Sequence, residues 1–313
     1  MKNYIFALLV LLVFNAALQA KTAPYSEELV SLNRAEVTLY GTLWLPTTNA
    51  TTTLAIIIAG SGPTDRNGNN MYMVNDHLKK LAQAISKEGI ATFRYDKRSI
   101  GASKSDKVNE TNLRFTDYVE DAKAWIAYFR KDKRFSKIVI IGHSEGATIG
   151  ALASTAADAY VSIAGPGRKA DEVLKEQLKA YPNIYGTAEK IIDSLNQDFT
   201  VKQVPAPLMS LFRPSVQPYI TSWFKISPIA AVQALSIPIL VLQGSSDLQV
   251  GVKDAELLAA ANKKARLSVI PNMNHIFVAI NGDEQANKDS YSNASLPIIP
   301  LLPSTIVQFL KTL

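Results

Sequence analysis

The chain has 313 residues, 47% apolar and 19% charged, a balance that excludes a disordered polymer and allows one large domain or two small ones. Its formal charge of +6 comes from scattered basic residues, as in "RKDKRFSK" (130–137) just behind the acidic "DYVED" (117–121). That pattern reads as solvated surface, and the lack of a dense basic block with interleaved aromatics argues against a nucleic-acid partner. There is no Cys, so disulfides and lipid attachment through an N-terminal Cys are excluded and stability must come from the core.

The first twenty residues, "MKNYIFALLVLLVFNAALQA", combine a basic start, an apolar run from Ile5 to Phe14 and a small residue, Ala20, at a cleavable position. This is a signal-peptide pattern and predicts export to the periplasm or the exterior. Leu18, at the third position before the cut, is larger than the residue usual there. The apolar run is too short to span a bilayer comfortably, so no stable membrane anchor is expected after cleavage.

Next, "AEVTLYGTLWLP" (35–46) alternates apolar and polar residues around Gly41 and predicts a hairpin near the sheet edge. Segments 52–60, 89–96, 137–142, 159–165, 237–244 and 265–271 are mostly continuous apolar runs ending in Gly, Asp or Pro, as strands buried on both faces are. Helical patterns at 75–89, 116–131, 146–157, 252–265 and 304–313 separate several of them; Asp117 with Glu120 resembles a capping box, and Gly89 closes the first helix. Alternating strands and helices predict an α/β fold with a doubly wound, mostly parallel central sheet flanked by helices, its ligand site at the carboxyl ends of the strands.

Residues 166–235 break the alternation. They open on a charged helical pattern and continue through Pro and large apolar residues, too long for a loop and too apolar for a linker. The reading is a helical cap inserted at 166–235 into a core formed by 21–165 and 236–313. Leu208, Met209, Leu211, Phe212, Trp223 and Phe224 are available for an acyl pocket or for the core of the cap itself.

Residues 142–146, "GHSEG", place the pattern G-x-S-x-G between a predicted buried strand and a predicted helix. Gly142 and Gly146 would let strand and helix approach closely, with Ser144 held on a strained turn at a helix N-terminus that favours developing negative charge. A serine nucleophile needs a base, and the chain has three histidines. His143 adjoins the serine and is expected to pack in the turn, while His77 opens a predicted helix and is expected at the surface. His275, in "VIPNMNHIF" beyond the last strand pattern, is left as the base. Asp247, directly after the penultimate strand, is the acid expected to orient it; Asp254 and Asp283 compete but stand at no strand end.

The order Ser144, Asp247, His275 fits an α/β-hydrolase. The loop after the first central strand, "IIIAGSGPTDRNGN" (56–69), offers the Ser61 backbone N–H as an oxyanion donor beside that of Glu145. The Glu145 carboxylate would oppose that charge, so a cationic partner is expected, with Arg66 or Arg98 as candidates. No metal-ligand spacing or dinucleotide fingerprint is present, and no cofactor is expected.

Together, "AGSGPTDRNGN", "FRYDKRSIGASKS", "GHSEGA" and "QGSSDLQV" resemble the α/β-hydrolase superfamily, in particular bacterial carboxylesterases and serine-aminopeptidase-like hydrolases. In that group the segment reading "YDKRSIGAS" usually has Gly where this chain has Ser99. The resemblance implies an acyl-enzyme mechanism and a cap that shapes specificity. The expected activity is hydrolysis of small-molecule carboxylic esters; peptidase, amidase or acyltransferase action by the same residues ranks second, and a silent binding protein third.

Overall fold

A computed structural model describes residues 25–47 and 51–313; the signal-peptide reading falls outside the described residues. Eight strands, β1 (Tyr25–Asn33), β2 (Thr38–Pro46), β3 (Thr52–Ile58), β4 (Ala91–Tyr95), β5 (Phe135–His143), β6 (Ala159–Ile163), β7 (Ile239–Gly244) and β8 (Ala265–Ile270), form one sheet in the order β1-β2-β4-β3-β5-β6-β7-β8. β1 with β2 and β2 with β4 are antiparallel; every later pairing is parallel. This is the doubly wound, mostly parallel sheet that the apolar runs predict.

Alternation within those runs sends neighbours to opposite faces. Ile56, Ile58, Ile138 and Ile140 join one buried cluster, while Ala55, Ile57, Val139 and Ile141 join the other. Helices α1 (His77–Ser86) and α11 (Leu301–Leu310) cover the second face, where Leu81, Ile85, Leu302 and Ile306 are buried. The first face is packed by α2 (Phe115–Phe129), α3 (Glu145–Ala153) and α9 (Val252–Ala260), and the short α10 (Glu284–Ser290) precedes the terminal helix. Between β6 and β7 lie α4 (Ala170–Leu178), α5 (Pro182–Asn196), α6 (Met209–Phe212), α7 (Gln217–Phe224) and α8 (Pro228–Gln233).

Two local expectations change. The hairpin does not turn at Gly41, which lies inside β2 where an added Cβ would run into the Phe93 ring. Its turn is at Arg34–Val37, closed by the Arg34 N–H on the Val37 carbonyl, and its outer arm is β1. That edge strand is half-exposed and rich in Ser and Glu, which hides it from a search for apolar runs. The α2 helix begins at Phe115, and Asp117 is its third residue, accepting from the Arg114 N–H at 2.8 Å; Glu120 instead pairs with Lys123 on the surface.

Candidate active site

Ser144 stands between β5 and α3 with φ 54° and ψ −123°, a conformation that L-residues rarely hold without compensation. The compensation is visible on both sides. Its N–H donates to the Ile163 carbonyl at the end of β6, and a Cβ on Gly146 would strike the Ile58 and Ala59 carbonyls, so only glycine lets α3 sit this close to β3. The strain lifts the Ser144 side chain into the cleft at the carboxyl ends of the strands.

Asp247 follows β7, and His275 lies in the turn after β8. His275 Nδ1–H donates to Asp247 Oδ2 at 2.8 Å, and Gln243 Nε2 donates to the same oxygen at 3.1 Å. The other oxygen accepts from the N–H groups of Gln249 at 2.8 Å and Val250 at 3.0 Å. Burial alone would raise the pKa of this carboxyl, but the His275 ring and these backbone donors outweigh it and hold the pKa below the usual range. Of the competing acids, Asp254 is buried on α9 against Arg168, at 2.8 Å, and Asp283 caps α10 through the Ala286 N–H. Neither meets His275.

The loops bearing Asp247 and His275 are tied together by α10, an element that no strong periodicity announces. Asn274 Nδ2 donates to Asn287 Oδ1 and Ser290 Oγ, and Asn287 Nδ2 reaches the Ser246 carbonyl at 2.7 Å.

All three histidines meet here. His77, expected at the surface, is buried: its Nδ1–H donates to Asn75 Oδ1 at 2.7 Å, and Asn75 is held in turn through its Nδ2 on the Tyr291 carbonyl. His143 Nε2–H donates to the backbone carbonyl of His275 at 2.9 Å, which fixes the tautomer and anchors the His275 backbone. The facing nitrogens, His77 Nε2 and His143 Nδ1, are 3.4 Å apart, and while both rings are neutral two lone pairs oppose each other there. Burial, reinforced by His275, lowers the His77 pKa to about 3 and that of His143 well below its ordinary value.

The cation beside Glu145 is neither arginine. Arg66 binds Asp96 at 2.8 Å and Arg98 binds Asp121 at 2.7 Å. Each guanidinium is drawn to a buried aspartate before it can reach the elbow. Glu145 pairs instead with Lys97 at 2.9 Å, both side chains being at most 2% exposed. Lys97 Nζ also donates to the Gly60 carbonyl at 2.6 Å and lies 5.0 Å from the Tyr118 ring centre. Burial and the Glu145 carboxylate together push the Tyr118 and Tyr219 phenols well above their ordinary range. Lysine is the residue least expected inside a protein, so the sequence carries no signal for this role.

Lys97 thereby connects the two expected oxyanion donors. It holds Gly60, which precedes Ser61, and the side chain of Glu145. The Ser61 N–H has no hydrogen-bond partner among the described residues, and Glu145 opens α3, where helix N–H groups lack intrahelical acceptors. Ser61 and Ser144 line the same cleft.

Two cavities meet at Ser144. One, of about 90 Å³, is lined by His77, His143, His275, Asn75 and Met73 among others. The other, of about 790 Å³, runs between the core and the helices connecting β6 to β7. Of the six apolar side chains singled out in that segment, Leu211 and Trp223 line it, Leu208, Phe212 and Phe224 are buried in the core, and Met209 is largely exposed. Among the described residues no group of three or more His, Asp or Glu is arranged to hold a metal, and no helix is long and apolar enough to cross a membrane.

A family model described as serine aminopeptidase, S33, matches residues 74–279, a stretch that contains Ser144, Asp247 and His275. The chain belongs to this family. The family is one of α/β serine hydrolases. A curated relative, esterase EstD of Thermotoga maritima, is 28% identical over 252 residues, covering 78% of this chain and 59% of the relative; the hydrolase thus spans less than two thirds of that protein's length. Among solved structures, Est1E from Butyrivibrio proteoclasticus with ferulic acid bound superposes with a TM-score of 0.62 at 16% identity, covering 90% of this chain and 98% of that one. The Pyrococcus furiosus esterase Pf2001 gives 0.61 at 16% identity, with 92% and 91% covered. These likenesses establish the shared fold.

Proposed function

We propose that this hydrolase cleaves carboxylic esters through an acyl-enzyme, with Ser144 as nucleophile, His275 as general base and acid, and Asp247 as the carboxylate that orients the imidazole and stabilises its cation. The observation that carries this reading is the 2.8 Å bond from His275 Nδ1–H to a buried, four-bonded Asp247, with Ser144 raised beside His275 in one cleft. In acylation Ser144 Oγ bonds to the ester carbon, His275 passes the serine proton to the departing alcohol, and the N–H groups of Ser61 and Glu145 receive the oxyanion. Water then releases the acid by the reverse proton path. The esterase names of the relatives support the same substrate class.

The description of the family raises cleavage of amides from an amino terminus as a second reading. An α-ammonium would need an uncommitted buried carboxylate near Ser144. Of the three carboxylates on the wall of the larger cavity, Glu145 is held by Lys97, Glu110 is held by Arg213 and Asp106 is exposed to water, which favours the ester reading.

A fluorophosphonate probe should label the wild type and not Ser144→Ala, and the wild type should hydrolyse p-nitrophenyl acetate. Absence of both labelling and hydrolysis removes the reading, and faster turnover of aminoacyl amides than of esters moves it to the second. The composition of residues 1–20 supports the further proposal that the enzyme is exported; a mature N-terminus at or near Lys21 would agree, and a protein that stays in the cytoplasm with Met1 intact would not.

A further inference from the structure

The two cavities at Ser144 differ ninefold in volume and in which reacting group each contains. The smaller has His275 in its wall and not Glu145; the larger has Glu145 and not His275. Ser61, Asn70, Ser144 and Gln249 form the boundary shared by both. This asymmetry bears on which end of an ester goes where, and it rests on the ester-hydrolase reading above.

When the tetrahedral intermediate collapses, the bond from the acyl carbon to the alcohol oxygen breaks, and that oxygen takes the proton His275 removed from Ser144. The departing oxygen must therefore lie on the His275 side. The acyl substituent, bonded to the same carbon while the oxyanion faces Ser61 and Glu145, is directed to the other side. From this we infer that the larger cavity holds the acyl group and the smaller one the alcohol, so that the natural substrates are esters of a long or bulky apolar acid with a small alcohol of about one to three carbons.

The volumes set the size limits. At about 90 Å³ the smaller cavity accommodates a few waters or one short alcohol. By contrast, 790 Å³ lies within the range of about 300–1,000 Å³ typical of sites for drug-sized ligands. Its walls include Leu211, Val216, Ile220 and Trp223; the smaller cavity mixes Asn75 and the three imidazoles with Met73, Ile276 and Tyr291, so size and not polarity separates the two. Deacylation uses the same small chamber: water bonds to the acyl carbon, His275 takes its proton and returns it to Ser144 Oγ as that oxygen departs. A chamber of this size suits water and a short alcohol in turn.

The test is a two-way panel of alkyl esters, followed by acid release in a pH-stat. Activated aryl esters are unsuitable, because p-nitrophenolate departs without a proton from His275. At fixed methyl alcohol, kcat/KM should rise by at least about tenfold from acetate to octanoate as methylenes enter the apolar cavity. At fixed octanoate it should fall by at least about tenfold from methyl to cyclohexylmethyl alcohol, and Met73→Ala, which widens only the smaller chamber, should narrow that second ratio severalfold. A preference for short acids with bulky alcohols, or a second ratio unmoved by Met73→Ala, overturns the assignment while fluorophosphonate labelling of Ser144 leaves the hydrolase reading standing. No turnover of any ester together with no labelling overturns both.

Discussion

Lys97 and Glu145, the residue after Ser144, form a 2.9 Å ion pair on the wall of the larger cavity, almost fully out of water. A buried pair gains little over an apolar replacement, but breaking it leaves one charge uncompensated. Lys97→Met should therefore destabilise the fold by about 3–5 kcal/mol in urea denaturation. The double variant with Glu145→Met should recover most of that loss yet stay slow, because the Gly60 carbonyl has lost its ammonium donor. Full activity in the double variant would show that Lys97 serves the pair and not the oxyanion loop.

Asp247 and Asp254 are both buried aspartates paired with a nitrogen base at 2.8 Å, and they separate cleanly by experiment. Asp247→Asn should lower kcat by on the order of 10⁴ with little change in thermal midpoint, the effect expected of a carboxylate that orients a catalytic imidazole. Asp254→Asn should do the reverse, lowering stability through the orphaned Arg168 while kcat stays within about threefold. Equal kinetic effects of the two changes would remove Asp247 from its proposed role.

The buried histidines predict how stability varies with pH. His77 titrates near its ordinary 6.5 when unfolded and at about 3 when folded, so between these values the unfolded chain binds the extra proton. Stability is full above about pH 6.5 and is lost as the pH falls toward 3, by up to about 1.4 kcal/mol per pH unit for each such histidine. His143 acts in the same direction. Denaturation midpoints at pH 7 and pH 5 should differ accordingly, and His77→Gln should flatten the dependence. A stability that rises on acidification through this window would contradict the burial of neutral rings.

Ser99 keeps a left-handed φ of 68°, the conformation natural to the glycine usual at this place in similar hydrolases, and its N–H donates to the Ser103 carbonyl at 3.0 Å. An L-residue pays about 1–2 kcal/mol for that geometry, part of which glycine returns through its more flexible unfolded chain. Ser99→Gly should raise stability by roughly 0.5–1 kcal/mol, measured by chemical denaturation. A loss of stability would mean that the Ser99 side chain makes a stronger contribution than its backbone strain.

What could be read from the chain alone follows physical scale. The strands β3 to β7 are legible because burial on both faces forces continuous apolar runs, whereas β8 is an edge strand that leaves Leu267 and Val269 exposed, and the elbow is legible because strand, glycines and helix are consecutive in sequence. The edge strand β1 is not, since one face meets water and its Ser and Glu residues satisfy it there. The pairing of Asp247 with His275 could be anticipated because each follows a strand. The partner of Glu145 could not: three cations stand near it in the fold's loops, and which one turns inward depends on Asp96 and Asp121 capturing the two arginines, a competition settled only in three dimensions. His77 was misplaced for a related reason, because the first residue of a helix carries no sign of whether another loop will cover it.

The convergence of His77, His143 and His275 has a practical consequence. The chain contains three histidines and no cysteine, so an untagged preparation carries every imidazole it has within one contact chain beside Ser144. Each imidazole proton resonance in a magnetic resonance spectrum is then a report from the cleft, free of background from elsewhere in the protein. A single cysteine introduced on α7 would likewise be the sole thiol, so a spectroscopic label placed there would record the position of that helix against the cleft while the imidazoles record what the cleft contains.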